Sequence, residues 1–145
     1  MVALGRTGLT GRAGAVESGL GFFGRFKTSQ GRIDLKKAGL FGIVTAARVL
    51  AIRHHIVERS TPARLAGIEA LGLGAADDLD ALIGAQATLL DLLLAQQVAD
   101  IERGTPPTNA VAVKRLSARD RDRLRVALEA VRHLDALTQD LLFQG

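Results

Sequence analysis

Cysteine, tryptophan and tyrosine are absent from the 145 residues, methionine occurs once and proline only three times. Without cysteine there is no disulfide framework, thiolate nucleophile or thiolate metal ligand, which fits a reducing, cytoplasmic setting. Aromatic residues make up 3% of the chain, so the stacking platforms that hold single-stranded nucleic acid are missing. Scarce aromatics also count against sandwiches and barrels, whereas a 48% hydrophobic composition rich in Leu and Ala favours helix packing on helix. Long apolar runs are missing too. The run 85–94 is interrupted by Gln86, Thr88 and Asp91 and falls short of the ~20 residues that span a bilayer. The first residues lack the apolar stretch of a secretory signal. One soluble, unexported domain is expected, because a chain of this length buries roughly 70% of its unfolded surface.

What is present is charge, unevenly placed. Residues 1–53 hold nine Lys/Arg against Glu17 and Asp34, a net +7, and ten basic against thirteen acidic residues leave the remainder at −3. A basic half can meet nucleic acid or phosphate, or dock on an acidic neighbouring domain; with no stacking residues, nucleic acid is not the expected partner.

Residues 1–18 are Gly-rich without a sustained apolar period and read as a flexible lead-in or the end of an upstream domain. LGFFGRF (20–26) holds three of the five Phe residues and is expected to tuck against the core as an irregular or short helical element. A first long helix is predicted over 38–56, with Leu40, Ile43, Val44, Ala47, Leu50 and Ala51 on one face. Ser60, Thr61 and Pro62 open a short second helix that ends near Gly72 and Gly74. The third begins at Asp77 and Asp78, whose charges suit a helix N-terminus, and runs to Arg103 before Gly104. Its predicted stripe is Leu79, Leu82, Ile83, Gln86, Leu90, Leu93, Gln97 and Ile101. Pro106 and Pro107 enforce an extended connection through Val113. Ser117 and Asp120 then start a last helix to about 142 that buries Leu124, Leu128, Val131, Leu134 and Leu141. The predicted class is all-α, an antiparallel four-helix-bundle-like domain over 19–142 with a tail at 143–145.

No catalytic centre is legible. His54 and His55 are consecutive on a helix and point apart, and His133 is remote, so no metal site is expected. Most Ser and Thr sit at predicted caps, turns or loops, and no G-x-S-x-G elbow occurs. GRTGLTGRAG lacks the Lys-Ser/Thr of a phosphate loop and follows no predicted strand. Asp77, Asp78, Asp80, Asp120 and Asp122 fall in first helical turns, where acids serve the helix dipole. RLSARDRDRLR mixes signs at i, i+3 and i+4 and reads as a solvated face.

One segment stands apart. GRIDLKKAGLFGIVTAARVLAIRHHI (31–56) places Arg32, Asp34, Lys36 and Lys37 immediately before a strongly apolar helix. It resembles the opening motif of the nucleotidyltransferase substrate-binding domain family, the C-terminal helical module of bacterial signalling proteins that also carry CBS or cyclic-nucleotide-binding domains and a nucleotidyltransferase-like domain. LGFFGRF is similar to the segment that leads into that motif. Downstream, Gln97, Ile101, Gly104, Pro107, Asn109, Val111, Leu116 and Ser117 follow the order and spacing the family shows between its last two long helices. The chain departs from the pattern at Gly42, where a helix-starting proline is usual, and at Leu93 and Ala95, where basic residues are expected.

The resemblance implies an accessory module that packs against a nucleotidyltransferase-like domain upstream and closes one wall of its cleft. The Gly-Ser motif and metal-binding acids of the catalytic fold do not occur in this chain, so no catalytic or metal-ligating residue is assigned. Arg32, Lys36 and Lys37 are the candidates for phosphate or acidic groups, Asp34 for orienting them or accepting a substrate donor, and Gln97 joins them as a substrate-binding candidate. Equally open is that Asp34 caps a helix and the lysines stay solvated. No cofactor is expected in the chain itself, with nucleotide and Mg bound only together with the partner domain. The alternative function is a regulatory or homodimerising helical module without a ligand.

Overall fold

The computed structural model describes residues 19–21, 24–73 and 75–144; the lead-in predicted for 1–18 lies outside them, as do Phe22 and Phe23. Along the chain follow β1 (Arg32–Asp34), a π-helical turn (Lys36–Leu40), α1 (Phe41–Arg53), α2 (Thr61–Ala70), α3 (Ala76–Glu102), β2 (Ala110–Ala112), a 3-10 turn (Val113–Arg115), α4 (Ala118–Arg132) and α5 (Leu134–Phe143). The architecture is predominantly helical and bundle-like, as expected. α1 packs on α2 and α5, α2 on α3, and α3 most extensively on α4.

Local chemistry sets most of the boundaries. Asp34 Oδ1 accepts from the backbone N–H groups of Lys36 and Lys37 at 3.0 and 3.1 Å, so the first helical segment starts two residues ahead of the predicted 38 and well before Gly42. Ser60 Oγ takes the Ala63 N–H and Pro62 occupies the first turn of α2, where its missing donor costs nothing. Ser117 Oγ likewise takes the Asp120 N–H at 3.0 Å and opens α4. Past α3, Gly104 adopts φ +72° and returns its N–H to Ile101, while the Thr105 N–H reaches the Asp100 carbonyl, which satisfies the helix's last acceptors.

Three features differ from the sequence expectation. The predicted last helix is two, with a turn at His133 (φ −90°, ψ 0°) between them. α5 then turns so that the carbonyls of Leu141 and Leu142 accept from His54 Nε2 at 2.9 Å and Arg53 Nε at 3.1 Å. The first helix stops at Arg53 rather than 56, with His55 left-handed at φ +57°. Finally, the RID segment and the extended connection pair as an antiparallel two-stranded sheet, Arg32 opposite Ala112, Ile33 opposite Val111 and Asp34 opposite Ala110. Ile33 and Val111 point into the core and are buried, whereas Leu20 and Phe26 form an isolated bridge beside it. LGFFGRF thus packs, in its described residues, as an irregular segment: Leu20 is buried and Phe26 half-buried against the core, with the Arg125 guanidinium 5.0 Å above the Phe26 ring.

Leu35, Ile43, Ile68, Leu79, Leu89, Leu124 and Leu128 have no exposed surface and form the centre of one apolar cluster. At Gly39 a Cβ would lie 2.6 Å from Leu89 Cδ1 and 3.3 Å from Val131 Cγ2, so only glycine lets the π-helical turn come this close to α3 and α4. The buried side of α3 is Leu79, Leu82, Ala85, Gln86, Leu89, Leu92, Leu93, Gln96 and Asp100. The predicted stripe therefore holds for its first half and at Leu93, and fails elsewhere beyond it: Leu90 and Ile101 face outward, and Gln97 is half-buried. By length and hydropathy alone, 18 residues of α3 reach 1.3, enough to cross a membrane despite the interruptions at Gln86, Thr88 and Asp91; in the fold this helix carries much of the packed core.

Candidate functional site

The five residues singled out from sequence lie around the small sheet, in different local roles. Arg32, on β1, donates from Nη1 to the Ala110 carbonyl across the strand pair at 3.0 Å. Asp34 spends Oδ1 on the two backbone N–H groups that open the helix; its Oδ2 has no partner among the described residues. Lys36 and Lys37 are exposed and extend from the first turn after that cap. Gln97, on α3, donates from Nε2 to Asn109 Oδ1 at 3.2 Å, and the Asn109 carbonyl accepts the Leu35 N–H at 3.0 Å. Through Asn109, then, Gln97 is joined to the β1 edge where Asp34 and the lysines sit. Leu93 is buried in the core, so a basic residue could not project to a ligand from that position.

A larger polar constellation lies immediately beneath, and the sequence reading missed it. Asp100 is only 4% exposed. Its Oδ1 accepts from Gln96 Nε2 at 2.8 Å and its Oδ2 from the Thr108 N–H at 3.0 Å. Gln96 Oε1 in turn accepts the Ala112 N–H at 3.1 Å, and Thr105 Oγ1 donates to the Asp100 carbonyl at 3.0 Å. Two side chains one turn apart on α3 thereby fasten the connection from Thr105 to β2, and β2 holds β1. Among the described residues no buried side-chain N or O lacks a partner. The legible signal was polar residues at i and i+4 on the core side of an apolar helix, which becomes readable only once that side is known.

Beyond this clasp, α3 turns an apolar ridge outward. Leu90, Leu94, Val98 and Ile101 are 41%, 58%, 54% and 62% exposed, and their spacing of four, four and three residues aligns them along one face. Asp91 and Glu102 lie exposed on the same helix. A second exposed apolar set, Phe41, Val49 and Ile52, shares α1 with Arg48.

Ion pairing concentrates on the far side, where Arg123 of α4 bridges Asp91 of α3 at 2.9 Å and Asp120 at 3.0 Å. The hydrogen bonds that Arg123 donates, to Asp91 first and then Asp120, raise its guanidinium above its ordinary value. The bond from Arg123 is the main reason the Asp120 carboxyl lies below the usual carboxylate range. His54 bonds a backbone carbonyl and His133 faces Glu129 at 3.3 Å; among the described residues no three His, Asp or Glu side chains converge on a metal position.

Comparison with curated proteins and with solved structures gave no match. A family model described as Putative nucleotidyltransferase substrate binding domain, however, matches residues 6–141, from within the Gly-rich lead-in to the last turn of α5. With both halves of the sequence resemblance inside that span, the capped segment after β1 and the connection clasped by Gln96 and Asp100, the chain belongs to the nucleotidyltransferase substrate-binding domain family.

Proposed function

We propose that this domain is a non-catalytic accessory module of a bacterial nucleotidyltransferase-like signalling protein, one that packs against the transferase-like domain and forms a wall of its cleft. The observation that carries the reading is the exposed ridge Leu90, Leu94, Val98 and Ile101 in a chain whose family is described by its service to a nucleotidyltransferase. An apolar face of this kind, rimmed by charge, is the usual mark of a docking surface. Its occupant is the transferase-like domain, with CBS or cyclic-nucleotide-binding domains further along the same cytoplasmic protein.

In this arrangement Lys36 and Lys37 present their ammonium groups at the cleft edge to phosphate or carboxylate. Asp34, Arg32 and Gln97 hold that edge: Asp34 by capping the helix, Arg32 by tying β1 to β2, Gln97 by gripping Asn109. Nucleotide and Mg bind together with the partner domain, which supplies the acids that this chain does not contribute.

The test joins this domain to its transferase-like partner and measures association in trans by sedimentation. Leu94→Gln and Ile101→Gln are expected to abolish association while leaving the far-UV circular dichroism unchanged; full association by both variants would remove the ridge from the interface. Nucleotide affinity of the joined protein is expected to fall in Lys36→Ala/Lys37→Ala. A second reading, self-association through the same ridge, is favoured by its three-and-four-residue spacing, which suits helix pairing. A chain that stays monomeric across a hundredfold concentration range, roughly what moves a dimer of micromolar Kd through its transition, removes that reading.

A further inference from the structure

A groove of about 260 Å³ opens between the C-terminal half of α3, β2 and the start of α4, and neither Gln97 nor Asn109 lines it. Its floor is apolar, made by Leu92, Ala99, Val111 and Leu116. Arg103 and Arg115 stand at its edge, both exposed, and neither makes an ion pair or a side-chain hydrogen bond among the described residues. The one acid lining it, Asp120, is already paired with Arg123. Two uncompensated guanidinium groups therefore give this opening a positive rim.

Two neutral donors complete it. Gln96, 8% exposed, gives one amide N–H to Asp100 and its oxygen to Ala112, which leaves a second N–H without a protein acceptor among the described residues. Ser117 accepts the Asp120 N–H at its Oγ and retains its own hydroxyl hydrogen. Arg103, Arg115, Gln96 and Ser117 thus offer unspent donors around the groove, against one carboxylate oxygen, Asp120 Oδ2, on a group whose charge Arg123 already balances.

We propose that this groove binds a small organic phosphate, its phosphoryl oxygens held by Arg103 and Arg115 with donors from Ser117 and Gln96, and its apolar body laid on the Leu92–Val111 floor. Paired guanidinium groups match the fork geometry of phosphate oxygens and stack on planar rings. The volume is just below the range of small-molecule pockets, about 300 Å³ and upward, so the groove seats part of a mononucleotide-sized molecule. The inference goes beyond the docking reading: it stands if nothing docks on α3, and its failure leaves that reading intact.

The experiment is an NMR titration of the ¹⁵N-labelled chain with adenosine 5′-monophosphate, with inorganic phosphate and adenosine as separate arms. Adenosine monophosphate is expected to shift the amides of Arg103, Val111, Ala112, Leu116 and Ser117, and inorganic phosphate to shift a subset about tenfold more weakly. Arg103→Gln and Arg115→Gln should each weaken binding about tenfold, the scale of one charge-assisted hydrogen bond, with thermal unfolding unchanged. Lys36→Gln/Lys37→Gln should leave the groove shifts as they are. The proposal is overturned by no localised shift at about 10 mM ligand, a concentration that already loads a site of millimolar Kd. Shifts insensitive to both arginine substitutions, or inorganic phosphate binding as well as the nucleotide, overturn it equally, the last reducing the groove to an adventitious ion only.

Discussion

Replacing Asp100 by Ala strips the acceptor from two donors at once, Gln96 Nε2 and the Thr108 N–H, inside a site where the carboxylate is 4% exposed. Hydrogen bonds to a charged acceptor contribute about 1.5–3 kcal/mol each, and the better helix propensity of Ala returns up to about 0.7 kcal/mol. The net loss is therefore about 2–5 kcal/mol, a large part of the ~5–15 kcal/mol that holds a domain together. Asp100→Asn keeps one carbonyl acceptor but turns an amide toward the other donor, so its loss is about half as large. Urea unfolding followed by circular dichroism at 222 nm reads both numbers, and a Tm drop of about 3 °C per kcal/mol supplies a check at this chain length. Amide hydrogen exchange at Thr108 and Ala112 should speed up in both variants well before global unfolding does, because those N–H groups belong to the clasp. A stability loss under about 1 kcal/mol for Asp100→Ala, or equal losses for Ala and Asn, would refute the argument that acceptor count fixes the connection.

Gly39→Ala is expected to cost about 1–3 kcal/mol by overpacking against Leu89 and Val131; pairing it with Leu89→Ala should recover part of that, and strictly additive losses in a double-mutant cycle would exclude the close contact. Ser117→Ala removes the α4 cap and should lower stability by about 1 kcal/mol, measured by urea midpoint at constant m. Because the Arg123 hydrogen bond depresses the Asp120 carboxyl, its stabilising effect is complete above the unfolded carboxylate value near pH 4 and fades as pH falls through the lower folded value. Asp120→Asn should flatten that acid limb of a stability-versus-pH curve, and an unchanged limb would exclude the linkage. Leu90→Gln, on the outward ridge, should leave the isolated domain within about 0.5 kcal/mol of its parent, in contrast to Leu89→Ala at about 2–5 kcal/mol.

Those last two neighbours show where sequence reading reached its limit. α3 carries Leu at 89, 90, 92, 93 and 94, so it is apolar on nearly every side there and its period alone cannot choose which side packs. The choice falls to α2, the π-helical turn and α4, which take Leu89, Leu92 and Leu93 and leave Leu90 and Leu94 outside. Helix starts were legible at Ser60 and Ser117, where a side chain makes the local bond itself, and so was the stop at Gly104. The break at His133 was not, since no Gly or Pro marks it and the turn is set by what α5 reaches on α1. The strand pair was equally hidden, because three residues contacting a partner 78 positions away leave no periodic trace. Of the candidate site, Arg32, Asp34, Lys36, Lys37 and Gln97 do border one sheet, but the groups that hold it in place, Gln96 and Asp100, sit on the buried side that the predicted stripe had misphased.

The turn at His133 carries a consequence for anything attached downstream. Because the carbonyls of Leu141 and Leu142 are anchored to His54 and Arg53, a segment continuing past Gln144 would emerge between the end of α1 and the α2–α3 connection instead of at the far end of a long rod. A cargo fused there would sit near Leu73 and Ala75, which line one hollow with Gln144.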